Sequence, residues 1–324
     1  MIRAASVGLG WWGKTLANSI IDSKKINVVI ATTRTLNNIQ DYCKEINADI
    51  AANYDEITSS DEIDAVILAT PHSKHLEQIV QAVNNGKHVF VEKPITLTAA
   101  DAEIAYSEAK KNNKVLAVGF NRRFHPNFNE IINMINDGTL GKIVHIEGTI
   151  NAPGLWMYKP ESWRSNASET PAGGMTGMGI HIIDQMIAAN GRISSTFAQT
   201  SKVIKKGDLD EITSVLFRFS NGSTGYLGTS IASSMYFNFR VIAENGIVEI
   251  MEKDLSVLKY TPREGEVKIA TAKNVDMCKL ELEAFADNIN GVSSYPVTSQ
   301  DGIHGAEVFE AVINSANQEK LIKI

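Results

Sequence analysis

The chain of 324 residues is 44% hydrophobic and 21% charged, with a formal net charge of −6. That length suits two domains rather than one, and interspersed, mildly acidic charge argues against a basic nucleic-acid face. No apolar run approaches the roughly 18 residues that span a bilayer, and the two cysteines, Cys43 and Cys278, offer neither metal-ligand spacing nor a disulfide framework, which points to a reducing cytoplasm.

Ile2–Val7 reads at once as a buried strand, which leaves no room for a signal peptide. Short apolar runs recur at Asn27–Ala31, Ala65–Ala69, His88–Val91 and Val115–Val118, with amphipathic stretches between them. In "SKHLEQIVQAVNNGK", Leu76, Ile79, Val80 and Val83 share one helical face and Gly86 ends the helix. Continuous apolar strands alternating with helices predict a doubly wound α/β domain with a parallel sheet covered on both faces, over residues 1–120.

The rhythm changes over residues 121–324, which read as a second, α+β domain on a large, mostly antiparallel open sheet, with C-terminal helices that either stay in it or pack back toward the first domain. A helix over about His125–Asn136 and a strand over Ile143–Ile150 lead into the irregular "NAPGLWMYKPESWRSNASETPAGG". So long a loop is usually functional or mobile. "EITSVLFRFSNGSTGYLGTS" and "YFNFRVIAENGIVEIME" carry Asn-Gly hairpin signals, and two helices, about Leu280–Asn290 and Gly302–Ala316, close the chain.

The first turn, "SVGLGWWGKT", spaces Gly8, Gly10 and Gly13 as GxGxxG between a strand and a helix. In that context the first glycine permits the turn, the second lets a pyrophosphate approach, and the third lets the helix pack on the strand. The helix N-terminus then faces the phosphates with its positive end. Trp11 and Trp12 either stack on the cofactor or pack at the loop. An NAD site usually carries an acid at the end of the second strand. Here "VVIATTRTLNN" places Thr33 and Arg34 there, a set better matched to a 2′-phosphate, so NADP(H) is expected over NAD(H). In the long loop, Tyr158, Trp163 and Arg164 are residue types that suit a sugar or a carboxylated ring, or that simply pack.

The run "VFVEKPITLT" puts Glu-Lys-Pro at a strand end, where sheets of this class bind ligands. Together with GxGxxG, "ATPHSKH", "GFNRRF" and the closing "YPVTSQDGIHGAEVFEAVINSA", it resembles the glucose–fructose oxidoreductase / inositol dehydrogenase / MocA family along essentially the whole chain. The resemblance implies a nicotinamide cofactor, a sugar, polyol or related hydroxy compound as substrate, and a homodimer or homotetramer packed through the second domain's sheet; with no metal-ligand spacing in the chain, no metal is expected. It places Glu92 and Lys93 near the nicotinamide, with Lys93 moving the proton on the reacting oxygen. A desolvated lysine beside a cationic ring is suited to that task. Thr70, Pro71, His72 and His75 flank the cofactor, or the two histidines cap and pack. Asn121 lies at the cofactor edge, and of Arg122 and Arg123 one binds substrate.

The family's Asp-x-Gly-x-His element matches "GGMTGMGIHIIDQM" at Gly179 and His181, but Gly177 stands in the aspartate's place. His181 then serves as proton donor or substrate ligand. Asp184, three residues on, either replaces the missing acid or plays a capping or core part. The clustered glycines imply backbone close to another group. Fold alone does not fix function, so a non-catalytic, dinucleotide-sensing protein is the alternative expectation.

Overall fold

A computed structural model describes residues 1–204 and 207–324. The chain forms two compact units, Met1–Asn121 with Asp276–Gly302, and Arg122–Val275 with Ile303–Ile324.

The first unit alternates β1 (Ile2–Val7), α1 (Trp11–Ser19), β2 (Ile26–Thr32), α2 (Gln40–Glu45), β3 (Asp49–Ile50), α3 (Tyr54–Ser59), β4 (Ala65–Leu68), α4 (His75–Asn84), β5 (His88–Glu92), α5 (Ala99–Lys111) and β6 (Leu116–Gly119). All its strand pairs are parallel, in the order β3-β2-β1-β4-β5-β6. The order reverses between β1 and β4, which opens a crevice at their C-terminal ends. Val66, Val89, Phe90, Val91 and Val118 are fully buried, as a sheet covered on both faces requires. Asn53 and Thr98 cap α3 and α5 by accepting from the backbone N–H of Glu56 and Asp101.

The second unit runs through α6 (Pro126–Asn136), β7 (Ile143–Asn151), α7 (Gly154–Met157), α8 (Ile180–Asn190), β8 (Ile193–Ser201), β9 (Ile212–Phe219), β10 (Thr224–Ser230), β11 (Tyr236–Ala243), β12 (Gly246–Met251), β13 (Val257–Pro262) and β14 (Lys268–Thr271). The chain then passes through α9 (Met277–Ile289) of the first unit and closes the second with α10 (Ser299–Gln318) and β15 (Ile322–Lys323). The nine strands are ordered β14-β13-β12-β11-β7-β10-β9-β8-β15, antiparallel throughout except for β10 with β7. One sheet face carries the helices. A Cβ on Gly148 of β7 would lie 2.2 Å from Ile182 of α8, so helix and strand meet there at backbone distance. His304 and Ser315 of α10 accept from the backbone N–H of Ile193 and Ala198 on β8.

Asp276–Gly302, for which the sequence leaves a return to the first domain open, clusters with that domain. Leu282, Phe285 and Ala286 of α9 are fully buried, and Phe285 packs on Phe90 of β5 at 5.9 Å. The hairpins are right in pairing but not in turn chemistry. Ala243 pairs with Gly246, so Glu244 and Asn245 make the second turn and Gly246 (φ +151°) begins the return strand. In the first, the backbone N–H of Phe219 donates to the Ser223 carbonyl across a longer loop, with Gly222 at φ +93°.

Candidate active site

The three glycines of the first turn do different work. Gly8 has φ +91°, and a Cβ there would lie 2.6 Å from the Ala69 carbonyl oxygen at the end of β4. A Cβ on Gly13 would lie 2.3 Å from the Gly8 carbonyl oxygen. Both glycines are demanded by the protein's own backbone. Gly10 is different: nothing lies within 4 Å of its missing Cβ. It stands at the start of α1, whose first turn has no side-chain cap and no acidic residue. Uncapped N–H groups beside open space make an anion site. Trp12 adds a buried indole Nε1–H without a hydrogen-bond partner among the described residues. Trp11 is 71% exposed. These features fit a dinucleotide pyrophosphate.

Beyond β2, Thr33 is half-buried and Arg34 exposed. Asp41, the next carboxylate in the chain, is exposed and faces Lys44. Leu9, Ala31, Ile39 and Cys43 form a small apolar cluster beneath this corner, with Tyr42 and Ile50 packed against it.

At the end of β4, Thr70 donates to Gln78 at 2.6 Å. His75 is fully buried, with Nδ1 2.9 Å from the Pro94 carbonyl oxygen and Nε2 3.2 Å from that of Thr70. It ties the loop after β4 to the loop after β5, which favours packing for this residue. His72 meets it edge-on at 5.7 Å. Glu92 is buried and Lys93 half-buried, and the Lys93 backbone N–H donates to Glu92 Oε2 at 3.3 Å. Asn121 donates to Cys278 Sγ at 3.6 Å.

In the second unit, Met175–Gly179 forms one wide, π-type turn that feeds α8. Such turns recur at functional sites. His181 lies in the first turn of α8 and is 8% exposed. Most of the clustered glycines serve packing rather than ligand approach: a Cβ on Gly173 would collide with the Asp210 carbonyl and one on Gly174 would lie 2.7 Å from Thr229 Oγ1. Asp184 is held by Arg123, whose Nε and Nη2 donate to its two oxygens at 2.9 and 2.8 Å, and both side chains are buried. Arg122 instead lies 4.6 Å over the Phe237 ring. Burial lowers its pKa to about 10, with no acid offsetting the effect. In the long loop, Arg164 stacks on Trp163 at 4.2 Å. Burial pushes the Tyr158 hydroxyl pKa up, against an opposing effect of Arg164. Among the described residues no cluster of three or more His, Cys, Asp or Glu could hold a metal ion, and no helix is long and apolar enough to cross a membrane.

Residues 2–120 match the oxidoreductase family with an NAD-binding Rossmann fold, and residues 128–249 match the Gfo/Idh/MocA C-terminal domain. The chain belongs to the Gfo/Idh/MocA oxidoreductase family. It is 29% identical over 226 residues to an oxidoreductase of Streptococcus pneumoniae, covering 68% of this chain and 60% of that one. A scyllo-inositol 2-dehydrogenase (NADP(+)) of Bacillus subtilis is 24% identical, with 99% and 97% covered, and a myo-inositol 2-dehydrogenase of Thermotoga maritima is 26% identical, with 83% and 82% covered. Among solved structures, levoglucosan dehydrogenase in complex with NADH and levoglucosan superposes with a TM-score of 0.89 at 21% identity, covering 100% and 99%.

One member of the first unit escaped the sequence reading. Glu281 on α9 is fully buried. Its signal was present in "CKLELEAFA": Cys278, Leu282, Phe285 and Ala286 mark the buried face, and Glu281 falls on it.

Proposed function

We propose that the protein is an NAD(P)-dependent dehydrogenase that moves a hydride between nicotinamide and a carbon bearing a hydroxyl or carbonyl group in a sugar, polyol or related small hydroxy compound. The observation that carries this reading is the presence, in one unit, of an open glycine cradle at Gly10 and of Lys93 at the end of β5. Gly8, Gly10, Trp11, Trp12 and Gly13 would hold the pyrophosphate, and Thr33 with Arg34 the adenosine ribose. Thr70, Pro71, His72, Glu92, Lys93 and Asn121 would border the nicotinamide, with His75 bracing their loops. The bound nicotinamide supplies or accepts the hydride. Lys93 holds and moves the proton on the reacting oxygen, and His181 is the second proton-handling group. Arg122, Tyr158, Trp163 and Arg164 orient the substrate. NADP(H) is preferred over NAD(H), supported by Arg34 and the lack of an acid directly after β2.

The test is absorbance of the reduced cofactor during incubation with a panel of sugars and polyols, for the parent and for Lys93→Met. The variant should fold and bind cofactor but lose about 10²–10⁴-fold in rate, the usual contribution of a general acid–base group. Tight cofactor binding without turnover across the panel would instead mark a dinucleotide-sensing protein.

The proposed location is the cytoplasm, supported by two buried free thiols. The proposed assembly is a dimer or tetramer through the sheet face opposite the helices. One register row across that face runs Ile269, Lys259, Glu249, Arg240, Glu147, Tyr226, Leu216. Leu216 and Ile269 are more than half exposed, and apolar surface set around ion pairs suits a self-complementary interface.

A further inference from the structure

Glu281 has 0% exposure, and neither of its carboxylate oxygens accepts a hydrogen bond from any described residue. Glutamates are almost never fully buried unless paired. The charged groups that act on this one are Glu92 and Lys93 at the end of β5, and Asp276 at the start of its own helix. Cys278, one turn earlier, feels both Glu281 and Glu92 and is held by Asn121. Glu92 is itself buried, in space that Gly119 leaves open: a Cβ there would lie 2.9 Å from Glu92 Oε1. Glu92 pairs with Gly119 across β5 and β6, Asn121 just beyond β6 holds Cys278 one turn before Glu281, and Phe285 of the same helix packs on Phe90 of β5, so the fold brings two buried carboxyls and Lys93 to one strand end.

Two neighbouring carboxylates in such a place do not both ionise, because each raises the other's proton affinity and burial raises both. One ammonium balances one of them. We propose that Glu281 and Glu92 share a single proton and that Glu281 is thereby a positioning residue for Lys93, fixing the counter-charge beside its ammonium at one. The inference rests on the role proposed for Lys93. With two negative charges Lys93 would hold its proton too tightly to exchange it with a substrate oxygen; with none it would lose it too easily. In agreement, burial first, and then Glu92, hold the Glu281 carboxyl well above the usual carboxylate range, against the opposing pull of Lys93. An aliphatic residue at this position of the buried stripe would avoid the desolvation cost of an acid.

The experiment uses the full chain without cofactor. Infrared spectra at neutral pH should show a protonated-carboxyl stretch in the parent. That band should vanish in Glu281→Gln and equally in Glu92→Gln, since either remaining carboxylate pairs with Lys93. In parallel, the Lys93 titration is followed by NMR of ¹³C-methylated lysines and assigned by its loss in Lys93→Met. Each single variant should barely move it, whereas the double variant should lower it by at least about one pH unit. Circular dichroism confirms that the variants fold. No band in the parent, a band that survives Glu92→Gln, or an unmoved Lys93 in the double variant would overturn the proposal. If Lys93→Met proves fully active, the role of Lys93 fails, while the infrared result still decides whether the proton is shared.

Discussion

The hydroxyl of Tyr158 lies 3.8 Å from the point where a Cβ on Gly177 would stand. The family pattern places an aspartate at that position, so the tyrosine hydroxyl stands in van der Waals contact with the place where that side chain would begin. Gly177 is not in a left-handed conformation, and a Cβ there meets nothing closer. Gly177→Asp should therefore fold with parental or slightly higher thermal stability, because glycine is a poor helix former by about 1 kcal/mol. Tyr158→Phe should lose about 10–100-fold in kcat/KM while folding normally, if the hydroxyl bonds the reacting substrate. A parental rate for Tyr158→Phe would remove the hydroxyl from the site.

The glycine turn separates fold from ligand. Gly10→Val should cost about 1 kcal/mol or less of stability, the scale of an N-cap change, yet abolish cofactor binding in calorimetry. Gly13→Ala should cost about 1–3 kcal/mol or more by overpacking, because the Gly8 carbonyl would be 2.3 Å from the new methyl group. Equal thermal melts for the two variants would contradict this division.

On the proposed reading, cofactor choice hangs on Arg34. Arg34→Ala should weaken NADPH binding about 10–100-fold, the worth of a charge-assisted phosphate contact, and leave NADH binding nearly unchanged. Tighter binding of NADH than of NADPH by the parent would reverse the assignment.

The buried Arg123–Asp184 pair makes a stability prediction. Asp184→Leu strands a guanidinium and should cost about 3–5 kcal/mol. Adding Arg123→Met should restore most of that loss, because replacing both members of a buried pair is often neutral. Denaturant melts of the two single variants and the double variant complete the cycle.

His88 sets part of the acid limit. Burial first, and then Lys114, lower its pKa from 6.5 to about 4, and its Nδ1 accepts from the backbone N–H of Val115 at 3.0 Å. The native state thus binds fewer protons than the unfolded chain in that range. Its stabilisation is present above pH about 6.5 and is lost as pH falls through about 4. His88→Gln should flatten the stability profile across that window.

The first unit was legible because its signals are local. Val66, Ile67, Val89 and Val91 form unbroken apolar runs, and Gly8, Gly10 and Gly13 mark a tight strand–turn–helix. The two-residue β3 escaped because so short a strand has no period. A return of the closing helices to the first unit could be entertained from sequence, but that α9 makes it could not be read, because that contact is decided by Phe285 meeting Phe90, 195 positions apart in the chain. Glycines 173 and 174 read as backbone close to another group, and that group is the protein's own Asp210 carbonyl and Thr229. Asp184 could be placed on the helix from sequence; its capture by Arg123 could not.

The charged row on the open sheet face fixes alignment during folding. Lys259, Glu249, Arg240 and Glu147 stand side by side on four adjacent strands, linked by contacts of 3.3, 2.9 and 2.9 Å. These pairs are only partly exposed, with Glu249 buried, and ion pairs at a sheet surface add about 1 kcal/mol or less each. A one-residue slip of β11, however, would turn Arg240 to the helix-bearing side in place of Phe239 and Val241, since strand side chains alternate faces. A guanidinium would then enter an apolar layer without its two glutamates. The four charges therefore do little to hold the finished sheet together and much to reject slips that turn them to the wrong face, so neutralising them should slow correct pairing more than it lowers the melting temperature.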